Sequence, residues 1–232
     1  SALTPDQLAL DRLLGRAEWF HWSGITPALG EGPLRTVQAA CRAAQAAGAT
    51  VSCDLNYRGK LWSEEKAQRV MRPLMEHVDL CIGGRGDPFS VLGMADPQEG
   101  PPTTEVDEEA YGEVARAMKE QFGFQAVALT LRESWSASKN GWSALLCDEQ
   151  DCTTPYRSER YELDLVDRVG GGDAFSAGLL YGLLEKGDSR DALEYAVAAS
   201  CLKHSIPGDA NLARREEVEA LRSGGGSGRV QR

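Results

Sequence analysis

The sequence predicts an α/β fold in which a mostly parallel sheet carries helices on both faces. Short apolar runs typical of buried strands alternate with longer Ala-rich or amphipathic runs typical of helices as far as Arg132. This spacing of strands and helices is that of consecutive β-α-β units, which build parallel sheets. After Arg132 two apolar stretches flank a polar segment, which is typical of antiparallel edge strands.

The elements of the first half start with a helix signal. Thr4, Pro5 and Gln7 supply a capping residue, a first-turn proline and a capping-box glutamine, so we expect a helix from there to about Arg16. Then follow, in turn, a strand, a helix, a strand, a helix and a strand, predicted over 18–23, 33–48, 49–55, 63–77 and 78–82. A loop of Gly, Pro and acidic residues comes next.

The second half adds four helices and three strands. The helices are predicted over 107–123, 171–186, 189–205 and 214–222. The strands are predicted over 125–131, 141–147 and 160–166, of which the last two are the antiparallel pair. Because ligands of such sheets bind beyond the carboxyl ends of the strands, the strand-to-helix loops are where we expect the site.

Composition limits the function classes. The 232 residues fit one domain, which we place at 1–222, with a Gly- and Ser-rich flexible tail at 223–232. The net charge of −10 argues against nucleic acid as a partner, and no apolar run reaches the ~18 residues of a membrane span. The six scattered cysteines contain no C-x-x-C pair, which indicates reduced thiols in a cytoplasmic protein.

The stretch Gly170-Gly171-Gly172-Asp173 carries the clearest chemistry. It lies where a strand leads into a helix, and the first N–H groups of a helix lack internal partners. Glycines allow an anion such as a phosphate to approach these groups. Asp173 then makes sense as the base that accepts a proton from an attacking hydroxyl. The plainer interpretation is a glycine-rich turn in which Asp173 caps the helix.

The helix after this loop carries a stripe of small residues. Ala174, Gly178 and Gly182 recur every four residues, which allows a neighbouring helix to approach closely. A helix start held in this way is a good platform for catalysis. Asp167, three residues before the glycines, adds weight to the phosphate interpretation.

The chain resembles a known family at these residues. The pattern D-x-x-G-x-G-D at a helix start, here "DRVGGGDAF", is the signature of the ribokinase-like carbohydrate kinases, also called the PfkB family. This form of the signature, together with the "SAGLLYGLL" that follows it, resembles the sequences of the 2-keto-3-deoxygluconate kinase branch of the family. Other stretches agree with it: "WFHWSGITPAL" (19–29), "DLNYRGKLW" (54–62), "LTLRES" (129–134) and "AVAASCLKHSIPGDAN" (196–211).

The resemblance implies a three-layer α/β/α fold and a role for individual residues. Asp173 would be the general base, and Gly170, Gly171 and Gly172 the anion hole. Arg58 would pair with the substrate carboxylate, for which a planar guanidinium is suited. Asp209 would hydrogen-bond sugar hydroxyls, and Gly24 would also bind the substrate. Those implied to bind the nucleotide are Asn56, Tyr57, Thr130, Arg132, Ala199, Lys203 and Asn211.

Some of these residues also have plainer interpretations. Arg58 in a strand-end loop is compatible with a surface ion pair. Lys203 and His204 are compatible with the cationic last turn of a helix.

The chain departs from the family pattern at two places. Gly84 stands where the family usually carries an asparagine, with Asp87 in the acidic position after it, so Asp87 is the candidate for handling Mg²⁺. A water network could replace the amide, or Arg85 could neutralise phosphate directly. Ser1 also corresponds to a point well inside a typical member, so we expect the first strands of the sheet and the β lid over the sugar to be lacking.

Three functions follow as hypotheses. The first is ATP- and Mg²⁺-dependent phosphorylation of 2-keto-3-deoxygluconate. The second is a kinase for fructose or another neutral sugar, for which Arg58 would matter little. The third is a non-catalytic chain that binds nucleotide or acts as a partner subunit. The expected partners are a small sugar acid and ATP, with a homo-oligomer left open.

Overall fold

The computed structural model describes residues 3–97, 106–148 and 154–224, which exclude most of the expected tail, from 225 onward. The strands in these ranges are β1 (Trp19–Ser23), β2 (Thr50–Asp54), β3 (Leu80–Gly84), β4 (Ala126–Ser134), β5 (Lys139–Cys147), β6 (Tyr156–Arg157) and β7 (Tyr161–Asp164). The helices are α1 (Leu10–Leu14), α2 (Ile25–Ala28), α3 (Glu31–Ala46), α4 (Glu64–Leu74), α5 (Asp87–Leu92), α6 (Glu108–Phe122), α7 (Gly171–Lys186), α8 (Ser189–His204) and α9 (Arg215–Arg222). The strand order is β1-β2-β3-β4-β5-β6, and β7 pairs with β5.

The chain divides into two compact units, and the boundary falls inside β4, after Leu129. Unit 1 contains β1 to β3 and the helices α1 to α5, with nearly all of α6. Unit 2 contains the second part of β4, almost all of β5, the strands β6 and β7, and the helices α7 to α9.

Parallel pairing organises the sheet of unit 1. Trp19 to Ser23 of β1 pair in register with Thr50 to Asp54 of β2, and β2 pairs in parallel with β3. Val51 and Cys53 are fully buried, as the apolar pattern of this run predicts. Parallel strands joined by α3 and α4 confirm the predicted β-α-β units, and they bring the three carboxyl ends to one edge of the sheet.

Two local predictions in unit 1 were wrong, and one helix, α2, was not predicted. The expected first helix is broken into a 3₁₀ turn at Pro5–Gln7 and the short α1, and neither piece buries a residue. Capping signals without a buried face do not sustain a long helix. The expected loop after β3 instead forms α5, and α2 follows β1 directly.

Antiparallel pairing organises unit 2, as the sequence predicts. Leu145 and Leu146 of β5 pair with β6, and Lys139 to Trp142 pair with β7. Every residue of β5 from Asn140 onward is buried. The apolar stretches on either side of the polar segment are therefore neighbours in the sheet.

Helices α7 and α8 pack closely because α7 carries glycine at the contact. A Cβ on Gly178 would lie 2.9 Å from Cα of Ala196, and a Cβ on Gly182 would lie 2.5 Å from Cα of Ala192. Ala192 and Ala196 are themselves small and fully buried. The stripe predicted from the sequence is thus a helix contact surface.

The cysteines differ in part from expectation. Cys41, Cys53, Cys81 and Cys201 are buried free thiols, in agreement with the prediction, and burial raises the pKa of each. Cys147 is disulfide-bonded, so the expectation that all six are reduced was wrong at this position. None of the helices in the described ranges has the length and apolarity that crossing a lipid bilayer requires.

Candidate active site

The first group of predicted site residues follows the strands of unit 1. The N–H of Gly24, just after β1, donates to the carbonyl oxygen of Asp54 at 2.8 Å. A Cβ at position 24 would lie 2.1 Å from the carbonyl oxygen of Leu55, so only glycine fits there. Gly24 therefore holds the ends of β1 and β2 together, whatever it binds.

The loop after β2 is tied to both neighbouring strands. Asn56 adopts a left-handed conformation with a φ of 43°, and its Nδ2 donates to Oγ of Ser23 at 3.2 Å. The N–H of Tyr57 donates to Oδ1 of Asp87 at 3.0 Å. Asparagine tolerates positive φ better than most residues. The structure thus brings Asn56, Tyr57 and Asp87 together, as their positions after parallel strands predict.

The Asp87 carboxylate is occupied by backbone donors. Its Oδ2 accepts the N–H of Gly84 at 2.6 Å, while Oδ1 accepts that of Tyr57. Burial raises the pKa of Asp87, and these two hydrogen bonds and the charge of Arg58 partly oppose that shift. The carboxylate therefore links two strand-end loops.

These residues do not fit a resident magnesium ion. Within the described ranges, no group of three or more His, Cys, Asp or Glu side chains is arranged to hold a metal. Both carboxylate oxygens of Asp87, the predicted candidate, already accept hydrogen bonds from backbone N–H groups. Magnesium is often held mainly by substrate phosphates. A magnesium ion here would therefore depend on ligands from outside the protein.

The Arg58 guanidinium is exposed at the end of the same loop. Its Nη1 donates to the carbonyl oxygen of Tyr57 at 3.0 Å, and it forms no ion pair with any described residue. The surface ion pair considered from the sequence is absent from this part of the chain. The guanidinium is available for an anionic group.

The second group of predicted residues belongs to unit 2, where the glycine loop leads into α7. Gly170 has a φ of 79°, and a Cβ there would lie 2.1 Å from the carbonyl oxygen of Asp209. A Cβ on Gly171 would lie 2.6 Å from Cε1 of His204. Two of the three glycines are thus required by packing inside the protein, in addition to any ligand.

The start of α7 keeps free N–H groups. The N–H of Gly171 makes a long 3.3 Å contact with the carbonyl oxygen of Arg168, whereas those of Gly172 and Asp173 find no backbone acceptor among the described residues. The cap of α7 is Gly170, without a side-chain hydrogen bond, so the plainer interpretation of Asp173 as the cap does not hold. Asp173 is exposed next to these donors. A loop of this kind can bind an anion.

Asp167 fixes the shape of the glycine loop. Its Oδ1 accepts the N–H of Val169 at 3.0 Å, and its Oδ2 accepts the N–H of Gly208 at 2.9 Å. The backbone N–H groups of Val166 and Asp167 both donate to the carbonyl oxygen of His204. The hydrogen bonds from these two N–H groups to the carboxylate are the main reason that the pKa of Asp167 is lowered. This carboxylate joins the glycine loop to the loop after α8.

Thr130 and Arg132 lie on β4, where it enters unit 2. Thr130 is buried and Arg132 is exposed. Desolvation lowers the pKa of Arg132, and the charge of Arg168 lowers it further. Arg168 received no role from the sequence, although a cation two residues before three glycines was a usable signal. Its Nη2 donates to the carbonyl oxygen of Ala137 at 3.2 Å.

The remaining predicted residues lie on and after α8. Nδ2 of Asn211 donates to the carbonyl oxygen of Ala199 at 3.4 Å, and its Oδ1 accepts the N–H of Ala213. Asp209 is exposed. Lys203 is fully buried, so its ammonium is not available for direct contact with a nucleotide in this structure.

The chain is similar to known carbohydrate kinases. The family model described as "pfkB family carbohydrate kinase" matches residues 1–214. A 2-dehydro-3-deoxygalactonokinase from Haloferax volcanii is 33% identical over 97% of this chain, and a 2-dehydro-3-deoxygluconokinase from Thermoproteus tenax is 29% identical over 96%. The crystal structure of 2-dehydro-3-deoxygluconokinase from Thermotoga maritima is similar with a TM-score of 0.88 and 43% identity over 96% of the chain.

The matched proteins are longer than this chain. It spans 63% of the Haloferax protein, 60% of the Thermoproteus protein and 65% of the Thermotoga structure. The likeness to the Thermotoga structure confirms the predicted α/β class and its ribokinase-like form. With the family match over residues 1–214, it establishes that the chain belongs to the pfkB family of carbohydrate kinases.

Proposed function

We propose that this protein transfers a phosphoryl group from ATP to a hydroxyl of a sugar acid, with 2-keto-3-deoxygluconate as the substrate and its 6-phosphate as the product. The observation that carries the proposal is the start of α7, where free N–H groups stand beside the exposed carboxylate of Asp173. Membership of a carbohydrate kinase family supports the reaction class. The names of the Thermotoga and Thermoproteus proteins support the substrate.

The proposed step needs one base and one anion site. The Asp173 carboxylate accepts the proton of the attacking sugar hydroxyl. The sugar oxygen then forms its bond to the γ-phosphorus while the bond from that phosphorus to the β–γ bridging oxygen breaks, and ADP leaves. The anion hole would be the loop from Gly170 to Gly172, where the N–H of Gly172 has no backbone acceptor among the described residues and would stabilise negative charge on the moving group. Mg²⁺ enters with ATP as part of the substrate.

The other roles belong to the same proposal. Arg58 would pair with the carboxylate of the sugar acid, since its guanidinium is exposed and without an ion pair among the described residues. Asp209 would accept hydrogen bonds from sugar hydroxyls, and Gly24 would border the sugar. The nucleotide would be bound by Asn56, Tyr57, Thr130, Arg132, Ala199 and Asn211.

One printed name favours a second candidate substrate. The Haloferax protein is a 2-dehydro-3-deoxygalactonokinase, whose substrate differs from 2-keto-3-deoxygluconate in sugar configuration and keeps its carboxylate. Arg58 would serve both acids equally. Fructose, which has no carboxylate, gains no support from Arg58.

A coupled assay that measures ADP formation tests the proposal. The purified chain is given Mg·ATP with each of the two sugar acids, with fructose and with no sugar. We expect turnover with at least one acid that exceeds turnover with fructose. Turnover with fructose alone would reject the sugar-acid assignment. ATP binding by calorimetry without turnover on any sugar would favour a non-catalytic nucleotide-binding chain.

Three further features complete the proposal. Residues 1–222 form the kinase domain, the protein acts in the cytoplasm, and it is not a nucleic-acid binder. The four buried free thiols support the cytoplasmic location, which the disulfide bond of Cys147 does not, and the net charge of −10 supports the last point. Size-exclusion chromatography with light scattering tests whether the chain forms a homo-oligomer.

A further inference from the structure

The proposed mechanism assigns no role to the buried charge of Lys203. It lies in the last turn of α8 and is 0% exposed. Its Nζ donates to the carbonyl oxygen of Ile206 at 3.0 Å, its one hydrogen-bond acceptor among the described residues. An ammonium carries three N–H donors, and its removal from water is costly. Because such a buried ammonium is unfavourable for stability, we expect its charge to have a function.

The position of Lys203 indicates which part of the protein its charge acts on. Its Cε would lie 3.2 Å from a Cβ at position 170, so the side chain runs directly under the glycine loop. Its ammonium is bonded to Ile206, at the start of the loop that continues to Gly208 and Asp209. The same two loops are joined by the Asp167 carboxylate, through Val169 and Gly208. Lys203 therefore occupies the junction of the two loops.

Positive charge at this junction favours an anion at the start of α7. Asp167 is an acceptor of two N–H groups, and the charge of Lys203 is among the causes that lower its pKa. A buried charge is screened little by solvent, so its field reaches the adjacent loop with more strength than that of a surface lysine. Charge held in this way needs no rearrangement when a phosphoryl group arrives.

We propose that Lys203 is a positioning residue for phosphoryl transfer: its buried ammonium fixes the 206–209 loop against the glycine loop and makes the start of α7 more positive. This inference rests on the proposed function, and it replaces the direct contact with nucleotide that the family resemblance implies for this residue. Lys203 acts on the reaction through the loop backbone and touches no reacting atom.

Lys203→Met separates this role from a purely structural one. Methionine fills similar space without charge, and exchange of a buried ion for an apolar side chain is often neutral or stabilising. We expect kcat to fall by about 10- to 100-fold, with the KM for the sugar acid within about twofold of the wild type and an unchanged or higher thermal midpoint. The exposed Lys66, changed to Met, is the matched control and should keep full kcat.

Hydrogen exchange gives a readout that does not depend on turnover. The amides of Val169 and Gly208 should exchange about tenfold faster in Lys203→Met than in the wild type, because the junction is loosened. If the wild-type chain shows no turnover, the proposed function fails, and the exchange rates alone decide the role of Lys203. Wild-type exchange at both amides would then overturn it. Where turnover is present, a kcat within twofold of the wild type would overturn it.

A second variant covers the case in which Lys203→Met does not fold. Lys203→Ala leaves a space that methylammonium fills, and this cation restores both the charge and the N–H donors. We expect about 50 mM methylammonium to slow exchange at Val169 and Gly208, whereas tetramethylammonium, which has no N–H donor, should not. Equal effects of the two cations would contradict the proposal.

Discussion

Residues that look alike in the sequence serve different purposes in the glycine loop. Gly170 is required by its φ of 79° and by the carbonyl oxygen of Asp209, and Gly171 by the ring of His204. Gly172 contributes a free N–H beside Asp173. The sequence predicts an anion at this backbone, but it contains no sign that protein atoms also approach so closely. A loop shaped by its own packing is already in place before a ligand binds.

Arg58 carries the sharpest residue-scale prediction about the substrate. Arg58→Ala should raise the KM for the sugar acid by about 10- to 100-fold, the value expected for loss of a hydrogen bond between charged groups. Arg58→Lys should give an intermediate KM, because it keeps the charge and loses the planar fork. Steady-state kinetics with varied sugar acid provides the measurement.

The control for Arg58 is the exposed Arg69, also changed to alanine, which should leave KM unchanged. Turnover with fructose, where it is detectable, should be the same in Arg58→Ala as in the wild type. An equal loss on fructose and on the sugar acid would mean that Arg58 acts on the fold and not on the carboxylate.

At the scale of elements, predictions succeeded where local and packing signals agree. The predicted range 171–186 matches α7, which begins after Gly170 and ends before Gly187, both in left-handed conformations. The helix expected from Thr4 onward failed because its capping signals are accompanied by no buried face. The helix α5 was missed because glycine, proline and acidic residues indicate a loop, yet Leu92 and Val91 are fully buried by packing.

The close contact between α7 and α8 depends on glycine at position 182. Gly182→Ala should lower the free energy of unfolding by about 1–3 kcal/mol, because the new methyl would lie 2.5 Å from Cα of Ala192 and force the helices apart. Urea unfolding followed by circular dichroism measures the change. Gly86→Ala is the matched control, since nothing lies within 4 Å of its added Cβ, and it should change stability by less than about 0.5 kcal/mol. Equal effects of both substitutions would refute the packing argument.

In the whole molecule, tertiary packing determines the features of the site that cannot be predicted from the sequence. The alternation of strands and helices follows from hydrophobic periodicity, which the sequence displays directly. The burial of Lys203 and the hydrogen bond between Asp167 and Gly208 do not, since each depends on residues far apart in the chain. The same applies to Asp87, whose carboxylate joins loops after two different strands. A motif gives the types of residue at a site, and tertiary contacts assign which of their atoms remain free.

The stability of the protein should fall as the pH drops from about 7 to 5, because of His204. Its ring is buried against Trp142, and its Nδ1 donates to the carbonyl oxygen of Ser200 at 2.7 Å. Burial lowers the pKa of His204, helped by the charges of Lys203, Arg132 and Arg168 and opposed by the bond to Ser200.

The sign of this effect follows from proton binding. Below the ordinary histidine pKa of 6.5 the unfolded chain binds a proton that the folded protein does not, so lower pH favours unfolding by at most about 1.4 kcal/mol per pH unit from this residue. His204→Gln should show a flatter pH dependence than the wild type in urea unfolding between pH 7 and pH 5. Parallel curves for the two proteins would show that His204 titrates normally in the folded state.

Asp173→Asn removes the proposed base and leaves the adjacent anion site in place. The amide keeps the shape of the side chain and cannot take up the proton, so kcat with 2-keto-3-deoxygluconate should fall by about 10²- to 10⁴-fold. The Kd for ATP, measured by calorimetry on the same sample, should stay within about twofold of the wild type, because the N–H groups of the loop are unchanged. A variant that keeps the wild-type kcat would rule out Asp173 as the base.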